Sequence, residues 1–154
     1  VRYGHGNPLR RASEMDHIHD IWQIGLRSAG SGRPEEVQAA LDYGSNLVPD
    51  IELQEVGMQA ILDRIPDGGQ YYLTIDADGV DPSIMPAVAG PAPGGPTYPQ
   101  MRTLINGLAK KGRVVGMDIV EITPSRDVNG ITAITAGRFI VMMIGAAVRA
   151  GYFD

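Results

Sequence analysis

Cysteine is absent from the 154-residue sequence, so the chain holds neither a disulfide framework nor thiolate chemistry. Basic residues form no block and the formal net charge is −5, which gives no support for nucleic-acid binding. No secretory signal is visible, and we expect a cytoplasmic protein. The most apolar stretch, residues 131–148, contains Arg138 and many alanines and glycines. We therefore expect a buried helix there rather than a membrane span.

Glycine and proline, in contrast, are concentrated in one segment. Residues 71–75 (YYLTI) are β-branched and aromatic, which is typical of a buried strand. Shortly after them, the 21 residues from 79 to 99 include ten glycines and prolines. Long ordered loops in compact domains usually have a function, so this segment is the first place to look for a site.

Two aspartates lie between this strand and this loop. Asp76 and Asp78 are two residues apart, and on a strand they would point to the same side. Two carboxylates held close together repel by roughly 3–4 kcal/mol at an effective dielectric constant near 20. A shared proton, a basic partner or a metal must offset this repulsion, and a hard divalent cation fits an all-oxygen pair. The spacing alone also fits an acidic strand end before a tight irregular loop.

Strand and helix patterns alternate along the rest of the chain. The sequence predicts further strands at 21–26, 47–48 and 114–120, and helices at 35–43, 51–64, 97–111 and 132–150. This order favours a single α/β domain with a mainly parallel sheet. In such sheets ligands bind beyond the carboxyl ends of the strands. Asp76, Asp78 and Glu121 all lie at predicted strand ends.

The helices should pack through apolar residues at helical spacing. The positions expected to face the core are Val37, Ala40 and Leu41 in the first helix, Val56, Ala60 and Ile61 in the second, and Met101, Leu104, Ile105 and Leu108 in the third. We expect Asp50 to cap the second helix. The last helix is apolar on almost all sides, so it should be largely buried or lie at a subunit contact.

The acidic segment has a resemblance to a known family. Residues 76–82 (DADGVDP), with the Pro-Ala and Pro-x-Pro-Gly-Gly elements after them, resemble the signature of the ureohydrolases, which include the arginases and agmatinases. The resemblance implies a three-layer α/β/α fold with a mainly parallel sheet. It also implies that Asp76 and Asp78 bind a pair of manganese ions, whereas we assign Asp81 to loop structure.

Two further segments resemble elements of the same family. Residues 117–124 (MDIVEITP) match its second signature, which implies that Glu121 binds the substrate guanidinium; a carboxylate suits this planar cation because it accepts two parallel hydrogen bonds. Residues 5–8 (HGNP) match its His-Gly-x-Pro element, which implies that His5 assists proton transfer or positions the substrate. The implied reaction is manganese-dependent hydrolysis of a guanidino compound to urea and an amine.

The residues themselves leave other interpretations open. His5 alone could be a turn histidine with a local hydrogen bond. Glu121 could be a strand-end carboxylate paired with Arg126, and Asp118 fits a buried, hydrogen-bonded acid. These alternatives need only local contacts, so the structure can distinguish them.

A second metal site is conceivable near the amino end of the chain. His17 and His19 are two residues apart, and Asp20 follows them directly. Imidazole and carboxylate groups both bind divalent cations. Polar loop residues are nevertheless the better interpretation of this segment.

The resemblance runs from His5 to the last helix but corresponds only to the later part of a ureohydrolase. The family's Gly-Gly-Asp-His and Asp-Ala-His-x-Asp elements, which supply the other metal ligands, are absent from this sequence. We therefore expect residues 1–154 to be the C-terminal part of one ureohydrolase domain, with the remaining manganese ligands upstream of Val1. Such a fragment alone should be inactive.

Two departures from the family pattern concern the substrate. Residues 28–30 (SAG) replace the acidic residues by which arginases recognise the α-amino end of arginine, and residues 89–91 (AGP) replace a common Gly-Thr-Pro. An agmatine-like guanidino substrate is expected, with arginase and guanidinobutyrase activities as alternatives. A non-catalytic scaffold or partner subunit is the alternative outside enzymes. Homo-oligomers are general in the family, so we expect one here.

Overall fold

A computed structural model describes residues 3–28 and 32–154 of the chain. Helices and strands alternate in these residues, as predicted. The helices are α1 (Pro8–Ala12), α2 (Pro34–Tyr43), α3 (Asp50–Arg64), α4 (Tyr98–Lys111) and α5 (Ile131–Arg149). The strands are β1 (Trp22–Leu26), β2 (Asn46–Pro49), β3 (Gln70–Asp76) and β4 (Arg113–Val120). Short 3₁₀ turns lie at Ala77–Gly79, Pro124–Arg126 and Val128–Gly130.

The strands pair in parallel. β1 pairs with β2, and β3 pairs with β4. Parallel pairing is therefore confirmed, but the described strands form two separate two-stranded sheets, because β1 and β3 are not hydrogen-bonded to each other. In the second sheet Asp76 lies opposite Val120. Both of its strands therefore end at the same level.

The core lies on one face of β3 and β4, under α4 and α5. Leu73 and Ile75 point into this core, whereas Thr74 between them is exposed, which is the two-residue period of a half-buried strand. Phe139 of α5 is fully buried and stacks on Tyr98 of α4, with 5.6 Å between ring centroids. The opposite face of the β3–β4 sheet carries the polar side chains.

The start and the apolar face of α4 agree with the sequence pattern. All four predicted core positions are buried, namely Met101, Leu104, Ile105 and Leu108. Thr97 precedes the helix, and its backbone N–H donates a hydrogen bond to Gln100 Oε1 at 2.8 Å. This capping box fixes the point at which the Gly/Pro-rich loop ends and the helix begins.

The start of α3 differs from the prediction. Asp50 is the first residue of the helix rather than its cap, and no side chain caps the preceding Pro49 position. The Asp50 carboxylate accepts a hydrogen bond from Gln54 Nε2 at 2.9 Å, within the helix. The prediction of an Asp50 cap is wrong because the helix begins one residue earlier than its apolar pattern indicates.

The buried face of α3 also differs in part. Val56 and Ala60 are exposed, although both were expected in the core. Gly57 has φ 80° and ψ 158°, which are not helical angles, so the two halves of α3 do not share one continuous helical face. The buried side chains are Leu53, Met58, Ile61 and Leu62.

The apolar residues of α2 do not reach a core. The helix lies wholly within the described residues, yet none of its side chains is buried. Val37 and Leu41 are 42% and 52% exposed. The prediction that they pack inward is therefore wrong for the described residues, because no other element of that part of the chain covers this face.

α5 is buried along one face only. Phe139 and Met143 are buried, whereas Val141 and Ile144 are 68% and 57% exposed. Among the described residues, Val128–Arg149 is the one helical segment long and apolar enough to cross a membrane, with a mean hydropathy of 1.9. Core helices of soluble proteins also reach this length and hydropathy. The expectation that α5 is largely buried is therefore wrong. Its alternative, that α5 lies at a subunit contact, stays a prediction.

The backbone of Gly57 gives a test of the fold. Its angles lie in a region that is essentially restricted to glycine, so Gly57→Ala should lower the free energy of unfolding by about 1–3 kcal/mol. Gly137 lies within the exposed face of α5, with no atom within 4 Å of an added Cβ. Gly137→Ala should therefore raise stability by about 0.4–1 kcal/mol. Urea unfolding of both variants checks this, and equal effects would contradict the assigned kink.

Candidate metal and substrate site

Asp76 and Asp78 are brought together by a turn rather than by the pleat of a strand. β3 ends at Asp76, and Ala77–Gly79 forms a 3₁₀ turn. The backbone N–H of Asp78 donates a hydrogen bond to Asp76 Oδ1 at 3.1 Å. The expected geometry of two alternating strand positions is therefore wrong, but the two carboxylates are still neighbours.

Glu121 lies beside this pair because of the parallel register. Asp76 is opposite Val120, and Glu121 follows directly at the end of β4. Its φ is 61°, a left-handed conformation that is uncommon for residues other than glycine and is found more often at functional sites. No sequence pattern around Glu121 indicates this conformation.

Partial burial and the neighbouring acidic groups change the pKa of Asp76. Partial desolvation, the adjacent charge of Asp78 and, to a smaller extent, the charge of Glu121 raise the pKa of Asp76 to about 6. A carboxyl group is charged less readily when negative charges surround it. A cation bound between these carboxylates would therefore reduce the repulsion among them.

His5 comes next to Glu121 although 116 residues separate them in the chain. Its Nδ1 lies 3.4 Å from Glu121 Oε1, and its side chain is 95% exposed. The interpretation of His5 as a turn histidine with only local contacts therefore does not describe its position. Its role in proton transfer stays a prediction.

A cavity of about 610 Å³ opens beside these groups. Its lining includes His5, Asn7, Gln23, Tyr43 and Asp76. The volume is in the range of small-molecule sites. His5 and the acidic strand end therefore face a space that a small ligand can enter.

The structure excludes the purely local interpretation of Glu121 but supports that of Asp118 in part. Arg126 Nη1 donates to the backbone carbonyls of Val88 and Ala89, both at 3.0 Å, so it is engaged away from Glu121. The interpretation of Glu121 as the ion-pair partner of Arg126 is therefore wrong. Asp118, in contrast, is hydrogen-bonded as expected, although it is half-buried rather than buried.

The hydrogen-bond partners of Asp118 were not predicted from the sequence. Tyr72 Oη donates to Asp118 Oδ2 at 2.9 Å, and Thr74 Oγ1 donates to Asp118 Oδ1 at 2.5 Å. The hydrogen bond to Asp118 and the charge of that group raise the pKa of Tyr72. Tyr72 and Thr74 have the same strand parity as Asp76, which was the signal that this face of the sheet is polar.

Asp81 acts within the loop. Its Oδ1 accepts a hydrogen bond from the Ser83 backbone N–H at 2.8 Å. Hydrogen bonds from Ser83, with a smaller contribution from the charge of Arg27, lower the pKa of Asp81. These contacts agree with its assignment to loop structure.

The donor chemistry of the site fits a hard divalent cation only in part. Asp76 and Asp78 offer carboxylate oxygens, which such ions prefer. In residues 3–28 and 32–154, however, no group of three or more histidine, cysteine or acidic side chains could hold a metal. The second site considered at His17 and His19 is thus not formed there. Asp76 and Asp78 can supply two ligands of a larger set.

Comparison with known proteins identifies the family. A model of the Arginase family matches residues 1–145. The chain belongs to this family. A guanidinopropionase of Pseudomonas aeruginosa is 32% identical over 148 residues, which are 92% of this chain and 46% of that protein. An N(1)-aminopropylagmatine ureohydrolase of Thermus thermophilus is 30% identical over 155 residues, which are 99% of this chain and 50% of that protein.

Solved structures confirm the arginase-like α/β/α fold. Proclavaminate amidino hydrolase from Streptomyces clavuligerus matches 97% of this chain with a TM-score of 0.86 and 30% identity, over 50% of its own chain. Arginase from Medicago truncatula matches 96% of this chain with a TM-score of 0.76 and 29% identity, over 45% of its own chain. The chain thus spans about half the length of the arginase-family proteins that it matches.

The departures from the arginase-family pattern lie in two loops. Ala29 and Gly30 fall outside the described residues, whereas Ser28 is described and has φ 71°. Gly90 lies close to the candidate site, since a Cβ on it would be 3.9 Å from Asp78 Oδ2. Gly90 is therefore a position at which a side chain would face the site.

Removing one of the crowded carboxylates should stabilise the metal-free protein. Asp76→Asn keeps an oxygen that can accept the hydrogen bond from the Asp78 backbone N–H. It removes the carboxyl group whose pKa is raised to about 6, and with it the negative charge. Because the pKa of Asp76 is raised from 3.8 to about 6 in the fold, its ionisation lowers stability as the pH rises through this range, and the loss is complete above pH 6. We expect a higher melting temperature than wild type at pH 7.5 and a difference that shrinks towards pH 4.

The control for this comparison is Glu55→Gln, which removes the same charge from an exposed position of α3. It should change the melting temperature little at either pH, because exposed surface charges contribute little to stability. Differential scanning calorimetry of metal-free protein provides the measurement. An Asp76→Asn variant that melts below wild type at pH 7.5 would show that the three carboxylates do not repel as described.

Proposed function

We propose that the protein takes part in the manganese-dependent hydrolysis of a guanidino compound to urea and an amine. The observation that carries this proposal is the convergence of Asp76, Asp78, Glu121 and His5 at the carboxyl ends of two parallel strands. Ligands of α/β proteins bind at such strand ends. Membership of the arginase family and the names of its ureohydrolase relatives support the reaction class.

Asp76 and Asp78 would hold the metal. Their oxygens are hard ligands, and the repulsion between them is relieved when a divalent cation binds. Bound divalent metals lower the pKa of water towards neutrality, which is the chemistry that a hydrolysis of this kind needs. Further ligands must come from outside the described residues, since these contain no group of three.

Glu121 would bind the substrate. Its side chain is 33% exposed and lies at the strand end next to the aspartates, so a guanidinium can approach it. A planar guanidinium donates two parallel hydrogen bonds to a carboxylate. Such a pair orients the guanidinium carbon towards Asp76 and Asp78, where the attacking water would be.

His5 would carry a proton between the site and solvent. Its Nδ1 is 3.4 Å from Glu121 Oε1 and the rest of the ring is open to water. Imidazole gains and loses protons near neutral pH. Departure of the amine product requires a proton, and a histidine in this position can deliver it.

A non-catalytic partner subunit or scaffold is the second candidate function. Residues 3–28 and 32–154 bring no three metal-ligating side chains together in one group, which favours this candidate. Metal analysis of the purified protein separates the two candidates. About two manganese ions per subunit would support the enzyme, because a two-metal site is proposed, and a protein without manganese would support the scaffold.

The direct test of the enzyme is urea release by the full-length protein in the presence of manganese. Agmatine, guanidinobutyrate and arginine should be compared as substrates. Asp78→Asn should abolish urea release while the circular dichroism spectrum stays that of wild type, because only a metal ligand is lost. Asp63→Asn, on the exposed face of α3, should keep full activity. Urea release by Asp78→Asn at the wild-type rate would refute the metal role.

Gly90 allows a test of substrate selection. Its φ is not positive and the nearest atom to an added Cβ is 3.9 Å away, so Gly90→Thr should fold normally. The threonine hydroxyl would add one hydrogen bond to a bound guanidino substrate, lowering KM by about 2- to 10-fold. Gly90→Val has nearly the same shape without the hydroxyl and should not do so. Equal KM values for the two variants would exclude a hydroxyl contact at this position.

A further inference from the structure

Arg27 directly follows β1, and its guanidinium reaches the turn that carries Asp78. Nη1 donates a hydrogen bond to the carbonyl of Gly79 at 2.7 Å. Nη2 donates to the carbonyls of Asp78 at 2.9 Å and Val80 at 3.3 Å. One side chain at the end of the first sheet therefore holds three consecutive carbonyls beyond the end of β3.

The same guanidinium binds the Gly/Pro-rich loop. Nε donates to the carbonyl of Pro93 at 3.0 Å and to that of Ala92 at 3.3 Å, and Nη2 donates to Ala92 at 3.0 Å. Nη1 also reaches back to the carbonyl of Gly25 at 3.3 Å. Only arginine offers five N–H donors in a fixed planar fork, whereas a lysine ammonium is a compact charge with three donors.

The backbone around Arg27 is closely fitted. Gly95 has φ 101°, and a Cβ there would lie 2.9 Å from Arg27 Cζ and 2.7 Å from the Gly79 carbonyl oxygen. Gly25 has φ 89°, and its Cβ would lie 2.9 Å from Pro96 Cδ. Both positions need glycine because of the conformation and because of the close approach. The loop and the turn therefore meet around the guanidinium in one defined arrangement.

One of the carbonyls that Arg27 binds belongs to Asp78, the candidate metal ligand. Arg27 binds the carbonyl of Asp78 itself, so the direction of the Asp78 side chain depends on the position of this carbonyl group. Ala92, which Arg27 also holds, is two residues after Gly90, and Gly90 lies beside the Asp78 carboxylate. The ligand and the loop that faces it are thus fixed by the same side chain.

We propose that Arg27 is a positioning residue for the metal and substrate site. It holds the 78–80 turn and the 92–93 part of the loop so that the Asp78 carboxylate stays next to Asp76 before any metal binds. This inference rests on the proposed role of Asp78 as a metal ligand. Groups that orient metal ligands typically alter metal affinity by about 10- to 100-fold when they are substituted.

The test uses two substitutions of Arg27 and one matched control. Arg27→Lys keeps the charge and removes the fork, and Arg27→Gln removes both. Arg102→Lys makes the same chemical change at an exposed position of α4. The Kd of the full-length protein for Mn²⁺ is measured by titration calorimetry, and its amide hydrogen exchange is measured without metal.

The Kd should rise about 10- to 100-fold in both Arg27 variants and stay unchanged in Arg102→Lys. Amide exchange should become faster at residues 76–81 and 89–96 but not in α4 or α5. This confinement distinguishes positioning from a general loss of stability, since a destabilised fold would exchange faster throughout.

Unchanged manganese affinity in Arg27→Lys would overturn the inference, and so would faster exchange spread through α4 and α5. The lysine variant decides the outcome if Arg27→Gln does not fold. A wild-type protein that binds no Mn²⁺ contradicts the proposed function, and the inference then fails with it. A wild-type protein that binds Mn²⁺ while Arg27→Lys binds equally well contradicts only the role of Arg27.

Discussion

Mutual repulsion among Asp76, Asp78 and Glu121 is imposed by the pairing of β3 with β4. The parallel register sets Asp76 against Val120, and the 3₁₀ turn after β3 folds Asp78 back onto Asp76. The hydrogen bond from the Asp78 backbone N–H holds the Asp76 carboxylate in this position. Partial burial and the charges of Asp78 and Glu121 raise the pKa of Asp76, and a bound cation would offset the repulsion.

The core on the other face of the sheet supports this unfavourable arrangement. Leu73 and Ile75 are buried under α4 and α5, one residue away from the exposed polar positions of the same strand. Burial of such side chains contributes roughly 1.5–3 kcal/mol each, which is comparable to the repulsion between two close carboxylates. The alternation of a single strand thus places buried core residues on one face of the sheet and the acidic and polar residues of the candidate site on the other.

Features that depend on residue type and local order could be predicted from the sequence. The strand ends at Asp76 and Glu121 follow from β-branched runs, and the segment from 76 to 82 carried the family resemblance. The kink at Gly57 and the exposed face of α2 could not be predicted, because they depend on which neighbours are present. The contacts of Arg27 were missed for the same reason: apart from the nearby Gly25 carbonyl, its acceptors are backbone carbonyls 51 to 66 residues away, and carbonyls leave no pattern in a sequence.

Joint binding of manganese by Asp76 and Asp78 is tested most directly by anomalous X-ray scattering at the manganese edge, from crystals grown with Mn²⁺. We expect a peak within about 2.0–2.6 Å of a carboxylate oxygen of each aspartate, as for other hard divalent cations. A map in which both carboxylates are ordered and no peak lies between them would contradict the account.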